Sequence, residues 1–137
     1  MNVEPYLYFN GRCEEALNFY RDAIGADIVS LMRFSESPVP CSPEMVPPGS
    51  EHKVMHACIR VGDSTLMASD GMCTGEAKFA GVTLTLNAEN DADAKRLFAA
   101  LGDGGQVQMP MTATFFASSF GMVADRFGVS WMVLVAL

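Results

Sequence analysis

The chain is poor in basic residues, and this scarcity excludes one class of partner. Its 137 residues include nine Lys and Arg against 16 Asp and Glu, which gives a formal net charge of -7. A protein that holds nucleic acid needs a cluster of cations against the phosphate backbone, and binding to an acidic membrane surface needs the same. We therefore expect neither nucleic acid nor a membrane among its partners.

Long apolar runs and paired cysteines are also missing. No apolar segment approaches the roughly 20 residues that span a bilayer, and Glu4 and Arg12 interrupt the N-terminal stretch where a secretion signal needs apolar residues. The four cysteines form no CxxC pair, so neither a zinc knuckle nor a thioredoxin-like motif is indicated. We expect a cytoplasmic protein with free thiols.

The length fits one domain, and half of the residues are hydrophobic, which suffices for a sizeable core. We therefore predict a single domain over residues 1–137. Within it, alternation of apolar and polar residues predicts strands, and a 3.6-residue period predicts helices. The first half is predicted to hold a strand, a helix and three more strands, at residues 3–9, 13–24, 27–34, 53–61 and 64–69.

The same order of elements begins again in the second half, at residues 82–87, 91–101, 105–111, 119–124 and 129–136. Gly25 and Gly102 are expected to end the two helices. The repeat indicates duplication into two tandem βαβββ modules, at about 1–70 and 80–137, joined by a linker at about 71–79. We predict an α+β fold in which mixed, curved sheets enclose a pocket and the helices lie outside.

The segment 35–52 separates two strands of the first module and is rich in proline, which regular structure tolerates poorly. The second module has no counterpart of similar length. Three interpretations stay open: a lid over the pocket, an arm that reaches a second subunit, or a disordered loop.

Several short motifs carry a family resemblance. In chain order they are PYLYF at 5–9, CEEALNFY at 13–20, VMHA at 54–57, LMASD at 66–70 and DRFGVSW at 125–131. Together they resemble the PhnB-like branch of the vicinal oxygen chelate superfamily, which also holds glyoxalase, bleomycin-resistance and extradiol dioxygenase proteins. The resemblance implies the glyoxalase/bleomycin-resistance fold for nearly the whole chain.

The resemblance also implies a homodimer, because modules of this superfamily commonly pair across subunits and an open sheet has edges to cover. It says less about activity, since one fold hosts many functions. A methyltransferase activity is often attached to this branch. The residues give that activity no support, because no glycine-rich nucleotide loop follows a strand.

Strand parity predicts which side chains face the pocket, because successive side chains alternate between the two faces of a strand. Leu7 and Ala68 fall on the helix side, and the polar or soft side chains fall on the inner side. The residues predicted to line the pocket and bind a small-molecule ligand are Tyr6, Met67, Thr83, Phe116 and Met132.

The aromatic run Phe115, Phe116 and Phe120 leaves two interpretations open. Rings beside threonine and serine hydroxyl groups suit a pocket mouth that stacks a flat or apolar ligand. The same rings would also close the core between strands.

Metal-dependent members of the superfamily, as the resemblance implies, take their ligands from the first and last strands of each module. The corresponding positions here are close to Glu4, Met67, Thr83 and Met132. Only Glu4 suits a hard or borderline divalent ion, since a thioether prefers Cu(I) and a neutral hydroxyl binds weakly. We therefore predict a metal-free small-molecule binder with no cofactor, and a divalent metal is the less favoured alternative.

His56 and Glu4 are the candidate catalytic residues. A neutral imidazole can act as a base or a ligand, and a carboxylate can orient it. This pair would serve a metal-dependent lyase, isomerase or dioxygenase of the same superfamily. The competing interpretation is a buried strand histidine bonded to a neighbouring backbone or hydroxyl group. A structural protein with a vestigial pocket is a third possibility.

Asp70 is expected just after the last strand of its module and Asp125 just before a hairpin turn, which we interpret as matching places in the two modules. Aspartate commonly accepts backbone N–H groups in such turns, so a structural role is predicted for both carboxylates.

Overall fold

The computed structural model describes residues 1–39 and 46–137. The chain divides into two compact units, Met1–Ala77 and Lys78–Leu137. The division falls inside the segment predicted to be a linker. Each unit has the element order βαβββ, which confirms the predicted α+β fold with two tandem modules. The grouping of both units into one domain stays a prediction.

The first unit holds five regular elements. They are β1 (Tyr6–Tyr8), α1 (Cys13–Ile24), β2 (Asp27–Arg33), β3 (Val54–Val61) and β4 (Ser64–Ser69). The sheet has the order β1-β4-β3-β2, with β1 parallel to β4 and the other pairs antiparallel. Strand β1 lies at the edge of the sheet and runs parallel to its neighbour β4. Parallel neighbours cannot be joined by a tight turn, so the chain passes through α1, β2 and β3 between them.

The second unit repeats this architecture. Its elements are β5 (Leu84–Asn87), α2 (Asp91–Gly102), β6 (Gln106–Thr112), β7 (Ala117–Ala124) and β8 (Ser130–Ala136). The strand order is β5-β8-β7-β6, and β5 runs parallel to β8. The two sheets therefore share one topology, as a duplication requires.

The first strand is shorter than predicted, and the reason lies at its start. Pro5 has no N–H to donate, so only its carbonyl can pair, and it accepts a hydrogen bond of 3.0 Å from the backbone N–H of Met67. Regular pairing begins at Tyr6.

The two helices end differently, and one prediction about them is wrong. Gly25 caps α1 in the left-handed conformation, with φ of 72°, and this conformation favours glycine. Gly102 is not the residue that follows and caps α2. It is the last residue of the helix itself, and Asp103 caps the helix with φ of -66°. The left-handed residue comes later, at Gly104 with φ of 78°.

Each helix covers one face of its own sheet. In the first unit, Leu17 and Tyr20 of α1 are fully buried, as are Ala57 and Ile59 of β3. In the second unit the approach is so close that a Cβ atom on Gly121 would lie 2.7 Å from Cε2 of Phe98 in α2. Among residues 1–39 and 46–137, no α-helix of the same unit covers the opposite face of either sheet.

The predicted loop at 35–52 contains some ordered structure in its described part. A single 3-10 turn spans Phe34–Glu36, and the Ser35 N–H donates a 2.8 Å hydrogen bond to the Glu51 carbonyl. Pro40 and Pro43 lie outside the described residues. The roles as lid or arm stay predictions. No described helix combines the length and apolar content needed to cross a membrane.

Candidate functional site

Strand register in the first unit places the predicted pocket residues on one face. Tyr6 is the partner of Met67 across β1 and β4, and Met67 is the partner of Cys58 across β4 and β3. Side chains of directly paired residues point to the same side of a sheet. The neighbouring row, with Leu7 and Ala68, is buried on the side of α1. The parity prediction is confirmed for this sheet.

The centre of this face is a contact between Tyr6 and His56. The Tyr6 hydroxyl lies 2.9 Å from Nδ1 of His56, although the two residues are 50 positions apart in the chain. The ring centroids are 5.6 Å apart. Both side chains are half-buried. The hydroxyl therefore holds the imidazole in one orientation.

The protonation states at this contact are limited. Burial raises the pKa of the Tyr6 hydroxyl, partly opposed by its interaction with the Ser69 side chain. The phenol is therefore neutral at physiological pH. Either it donates to an unprotonated Nδ1, or a protonated Nδ1 donates to its oxygen. In both cases the contact uses Nδ1 and not Nε2, the second ring nitrogen of His56. No hydrogen bond of Nε2 is found among residues 1–39 and 46–137.

A second tyrosine extends this face to its edge. The Tyr8 ring lies 4.9 Å from the Tyr6 ring, with an interplanar angle of 31°, and Tyr8 is 54% exposed. The two rings and the imidazole form a continuous aromatic surface, which we call the Tyr6–His56 patch, consisting of Tyr6, Tyr8 and His56.

The Glu4 carboxylate makes no hydrogen bond with the His56 imidazole, although the candidate catalytic pair requires one. Glu4 lies before β1, and its side chain makes no hydrogen bond or ion pair with the described part of the chain. The partner of His56 is a hydroxyl group, as in the competing interpretation of a strand histidine. A catalytic role for Glu4 stays a prediction.

The donor set does not fit the metal of the superfamily. Among the described residues, no group of three or more His, Cys, Asp and Glu side chains is arranged to hold a metal ion. At the corresponding positions, Met67, Thr83 and Met132 offer two thioethers and a hydroxyl, which are poor ligands for hard divalent ions. We derive no chemistry through such a metal.

In the second unit, register again follows the predicted parity. Thr85 pairs with Met132, and the Thr85 Oγ1 lies 3.9 Å from the Met132 Sδ. Trp131 and Val133 alternate with Met132 and are buried on the opposite face. Thr83 is half-buried and directly precedes β5, outside its paired residues.

The aromatic run divides between core and surface. Phe120 is buried, whereas Phe116 is 44% and Phe115 is 94% exposed. Successive rings meet edge to face, with centroids 5.1 Å and 5.2 Å apart. The Thr114 hydroxyl accepts the N–H of Ala117 at 3.1 Å and so stabilises the turn. Phe120 is thus buried on the sheet face away from α2, and the other two rings lie on a hairpin tip.

The structure therefore brings three of the predicted site residues onto one face: Tyr6, His56 and Met67. Thr83, Phe116 and Met132 belong to the second unit. The contact between Tyr6 and His56 was missed from sequence. The order β1-β4-β3 places Tyr6 and His56 on the same face of the sheet, with only β4 between their strands. A prediction of this strand order would have indicated that the two side chains lie close together.

A separate cleft of about 430 Å³ lies beside the start of α1. It does not coincide with the Tyr6–His56 patch. Its charged groups already have partners, because Arg33 binds Glu14 at 2.7 Å and the Lys53 Nζ donates to the Gly11 carbonyl at 2.8 Å. Such internally paired charges suit a structural role for the cleft.

Asp70 is a buried carboxylate with a structural role. It accepts hydrogen bonds from the backbone N–H groups of Gly11, Cys13 and Val54 at 2.7 to 2.8 Å. It thereby caps the start of α1, where the Arg12 side chain forms no capping bond. This role agrees with the structural prediction.

Asp125 has the same kind of role inside one hairpin. It accepts the backbone N–H groups of Phe127 and Val129 and the indole N–H of Trp131, at 2.9, 3.1 and 2.9 Å. Asp70 directly follows β4, the last strand of its unit, and Asp125 directly follows β7, at the start of the turn to β8, as predicted. The two places are not equivalent in the two units, so the prediction that they match is wrong.

A family model described as 3-demethylubiquinone-9 3-methyltransferase matches residues 1–134. The chain belongs to this family. It is 36% identical over 140 residues to protein YjdN of Escherichia coli strain K12, in a match that covers 98% of this chain and 95% of YjdN.

Two solved structures are similar over almost the whole length. Protein PA1353 from Pseudomonas aeruginosa is 42% identical with a TM-score of 0.85, covering 99% of this chain and 98% of that one. The PhnB protein from Bacillus cereus is 28% identical with a TM-score of 0.81, covering 99% and 100%. The resemblance to the PhnB-like branch is thereby confirmed.

A more distant likeness concerns the fold alone. The glyoxylase/bleomycin resistance protein/dioxygenase domain from Frankia is 12% identical with a TM-score of 0.66, covering 99% of this chain and 95% of that domain. This chain therefore has the fold of a glyoxylase/bleomycin resistance protein/dioxygenase domain, as predicted.

Proposed function

We propose that this protein binds a small organic molecule without a metal ion, and that the Tyr6–His56 patch is the centre of the site. The observation that carries the proposal is the 2.9 Å contact between the Tyr6 hydroxyl and His56 Nδ1, on the sheet face that α1 does not cover. A half-buried polar pair among apolar groups is the usual composition of a small-molecule site.

The residues around the pair suggest the kind of ligand. Tyr6 and Tyr8 offer ring faces for stacking, and Nε2 of His56 offers one hydrogen bond. Cys58 and Met67 add soft, weakly polar surface next to them. A flat aromatic molecule with one hydrogen-bonding substituent fits this combination best. The ligand-binding role predicted for Thr83, Phe116 and Met132 of the second unit stays a prediction.

The family description names a methyltransferase, and we do not extend that activity to this chain. Family and fold do not by themselves define a reaction. The segment after β1 reads Asn10-Gly11-Arg12, and the segment after β5 reads Ala88-Glu89-Asn90. Neither is a glycine-rich nucleotide loop.

The direct test is a titration with flat aromatic fragments that bear a carbonyl or hydroxyl group, followed by NMR of the His56 imidazole. Tyr6→Phe removes the hydroxyl and keeps the ring, and we expect it to weaken fragment binding by about tenfold, the value of one well-placed hydrogen bond. Tyr8→Phe is the matched control, because its hydroxyl has no contact with His56, and it should bind as the wild type does.

Two outcomes would overturn this proposal. One is fragment binding that perturbs only the cleft residues Glu14, Arg33 and Lys53. The other is a stoichiometric divalent metal in protein purified without chelator, if His56→Ala removes it. That second result would favour the metal-dependent alternative with Glu4 and His56.

The proposal extends to a cytoplasmic homodimer. The edge strands β2 and β6 expose apolar side chains, among them Val29 and Val107. Uncovered edges with such side chains favour association with a second sheet edge. Light scattering should give twice the chain mass, and a monomer over a wide concentration range would contradict the dimer.

A further inference from the structure

One row of side chains crosses the entire sheet of the second unit. Thr85 of β5 pairs with Met132 of β8, Met132 pairs with Met122 of β7, and Met122 pairs with Met109 of β6. Paired residues point to the same face, so three thioethers lie next to one another on adjacent strands. We call Met109, Met122 and Met132 the methionine row.

The methionine row does not fill the core under α2. That core is made on the other face, where Val123 and Trp131 are buried. Met122 and Met132 are only half-buried, and Met109 is 43% exposed. Methionine that merely fills irregular gaps in a core would be expected to be buried. The three side chains of this row instead keep part of their surface accessible, and the Met132 Sδ is 3.9 Å from the Thr85 hydroxyl.

The surroundings of the row are uncharged. The next rows on the same face contain only neutral side chains in the part of the chain that the structure describes: Gln106, Ala124 and Ser130 on one side, and Asn87, Leu134, Phe120 and Thr112 on the other. No carboxylate, imidazole or thiol is among them. Such a face lacks the donors that Mg²⁺, Ca²⁺ or Zn²⁺ require.

We propose that the methionine row binds a soft monovalent cation of the Cu(I) class. Thioethers are ligands that select such ions, and the lack of harder donors removes competition from divalent metals. Cβ atoms of paired residues lie about 5 Å apart, and the three rotatable bonds of methionine let the sulfur atoms turn toward one ion. The methionine row lies entirely on the sheet of the second unit, and this proposal does not depend on the proposed function.

The test uses Ag(I), which has the ligand preference of Cu(I) and needs no reductant. Thiolates would compete for Ag(I), so the four cysteines Cys13, Cys41, Cys58 and Cys73 are replaced by alanine. If Cys13→Ala prevents folding, Cys13 is kept, because its side chain is fully buried. Titration of the methionine-methyl ¹³C signals then reports each thioether separately, without any organic ligand.

We expect one Ag(I) per chain, with the methyl signals of the methionine row shifting together and with no response to Zn²⁺. Met122→Leu removes the central ligand at nearly constant volume and should weaken Ag(I) binding by about tenfold or more. Met72→Leu is the control, because Met72 is exposed outside the row and should leave binding unchanged.

Two results would overturn the proposal. In the first, all exposed methionines shift in proportion to their exposure and Met122→Leu makes no difference, which means adventitious binding only. In the second, no methionine signal responds to Ag(I). If Met122→Leu does not fold, Met109→Leu at the exposed edge strand replaces it, and unchanged Ag(I) affinity in that variant also refutes the site.

Discussion

The two units have the same strand order, and each is stabilised by a buried aspartate, but the two carboxylates act over different distances. Asp70 joins the start of α1 to the start of β3, and its partners lie up to 59 positions away in the chain. The three N–H groups that donate to the Asp125 carboxylate, from Phe127, Val129 and Trp131, lie within six positions of it, in one hairpin. A shared topology therefore does not imply shared stabilising contacts.

The helix starts show the same contrast. The Asn90 side chain accepts the N–H of Asp93 at 2.8 Å, which is an ordinary local cap for α2. The Arg12 side chain makes no such bond at the start of α1, and Asp70 supplies the acceptor from a distant strand end. The first unit thus depends on a long-range contact for what the second obtains from neighbouring residues.

The largest effect is expected for Asp70→Ala, which leaves three N–H groups in the interior without their acceptor. Each such group costs about 1–3 kcal/mol, and relaxation lowers the sum to roughly 3–5 kcal/mol. Urea unfolding followed by circular dichroism measures this loss.

Asp125→Ala is the matched comparison for Asp70→Ala. Its local hairpin can rearrange and admit water more easily, so we expect a smaller loss of stability. Fluorescence of Trp131, the single tryptophan, reports on the second unit. An equal or larger loss for Asp125→Ala would contradict the distinction between long-range and local stabilisation.

Gly121→Ala should have the next largest effect. The added Cβ would lie 2.7 Å from Phe98 and 3.2 Å from the backbone of Met111. Helix α2 must then move away from β7, at a cost of about 1–3 kcal/mol for an overpacked core. The first unit has Ala57 facing α1 on its third strand, fully buried. If Gly121→Ala leaves the free energy of unfolding unchanged, the second unit tolerates the helix-to-sheet spacing that an alanine requires in the first unit.

The capping residues allow a smaller and sharper comparison. Asn90→Ala should lower the free energy of unfolding by about 1 kcal/mol, because it removes the local cap of α2. Arg12 is at the same position before α1. Arg12→Ala should cost less than Asn90→Ala, because it removes an exposed ion pair with Glu15 and no capping bond. Equal losses in thermal unfolding would contradict the assignment of Asp70 as the cap of α1.

The smallest effect concerns acid sensitivity. Hydrogen bonds from the hydroxyl groups of Ser119 and Ser118 lower the pKa of Asp91 in the second unit. The ion pair with Arg33 lowers the pKa of Glu14 in the first. A lowered folded-state pKa stabilises the protein above the unfolded pKa of about 4, and this stabilisation is lost as pH falls through the folded value.

With Asp91→Asn or Glu14→Gln, the melting temperature should therefore decrease less steeply as the pH is lowered. Added salt should reduce the contribution of Glu14, because an exposed ion pair is screened, and leave that of Asp91 nearly unchanged. Equal salt sensitivity of the two contributions would show that the carboxylates are stabilised by the same kind of interaction.

Sequence reasoning worked best where local patterns decide the structure. Helix α1 spans Cys13–Ile24 as predicted, because its apolar residues recur with helical spacing and Gly25 ends it. Parity placed Tyr6 and Met67 on one face, since alternation is a property of any strand. The end of α2 was misjudged at Gly102, because a glycine can also be an ordinary helical residue.

The candidate sites depended on contacts that no local pattern contains. The partner of His56 is Tyr6, 50 positions away, and the methionine row depends on the pairing of three strands. Asp91 with Ser118 and Ser119 is another such group, with partners 27 and 28 positions away. These associations follow from strand register, which is set by the whole sheet.

The amino-acid sequence by itself determined the duplicated βαβββ order, the ends of most elements to within a residue or two, and the face on which the side chains of β1, β3, β4, β5 and β8 lie. It could do so because periodicity, proline and glycine act on neighbouring residues. Only the tertiary structure decided that Asp70 caps α1, that Tyr6 meets His56 and that three methionines lie side by side. Each of these depends on which strands pair and in what register, and that choice is made by the burial of a complete sheet under its helix.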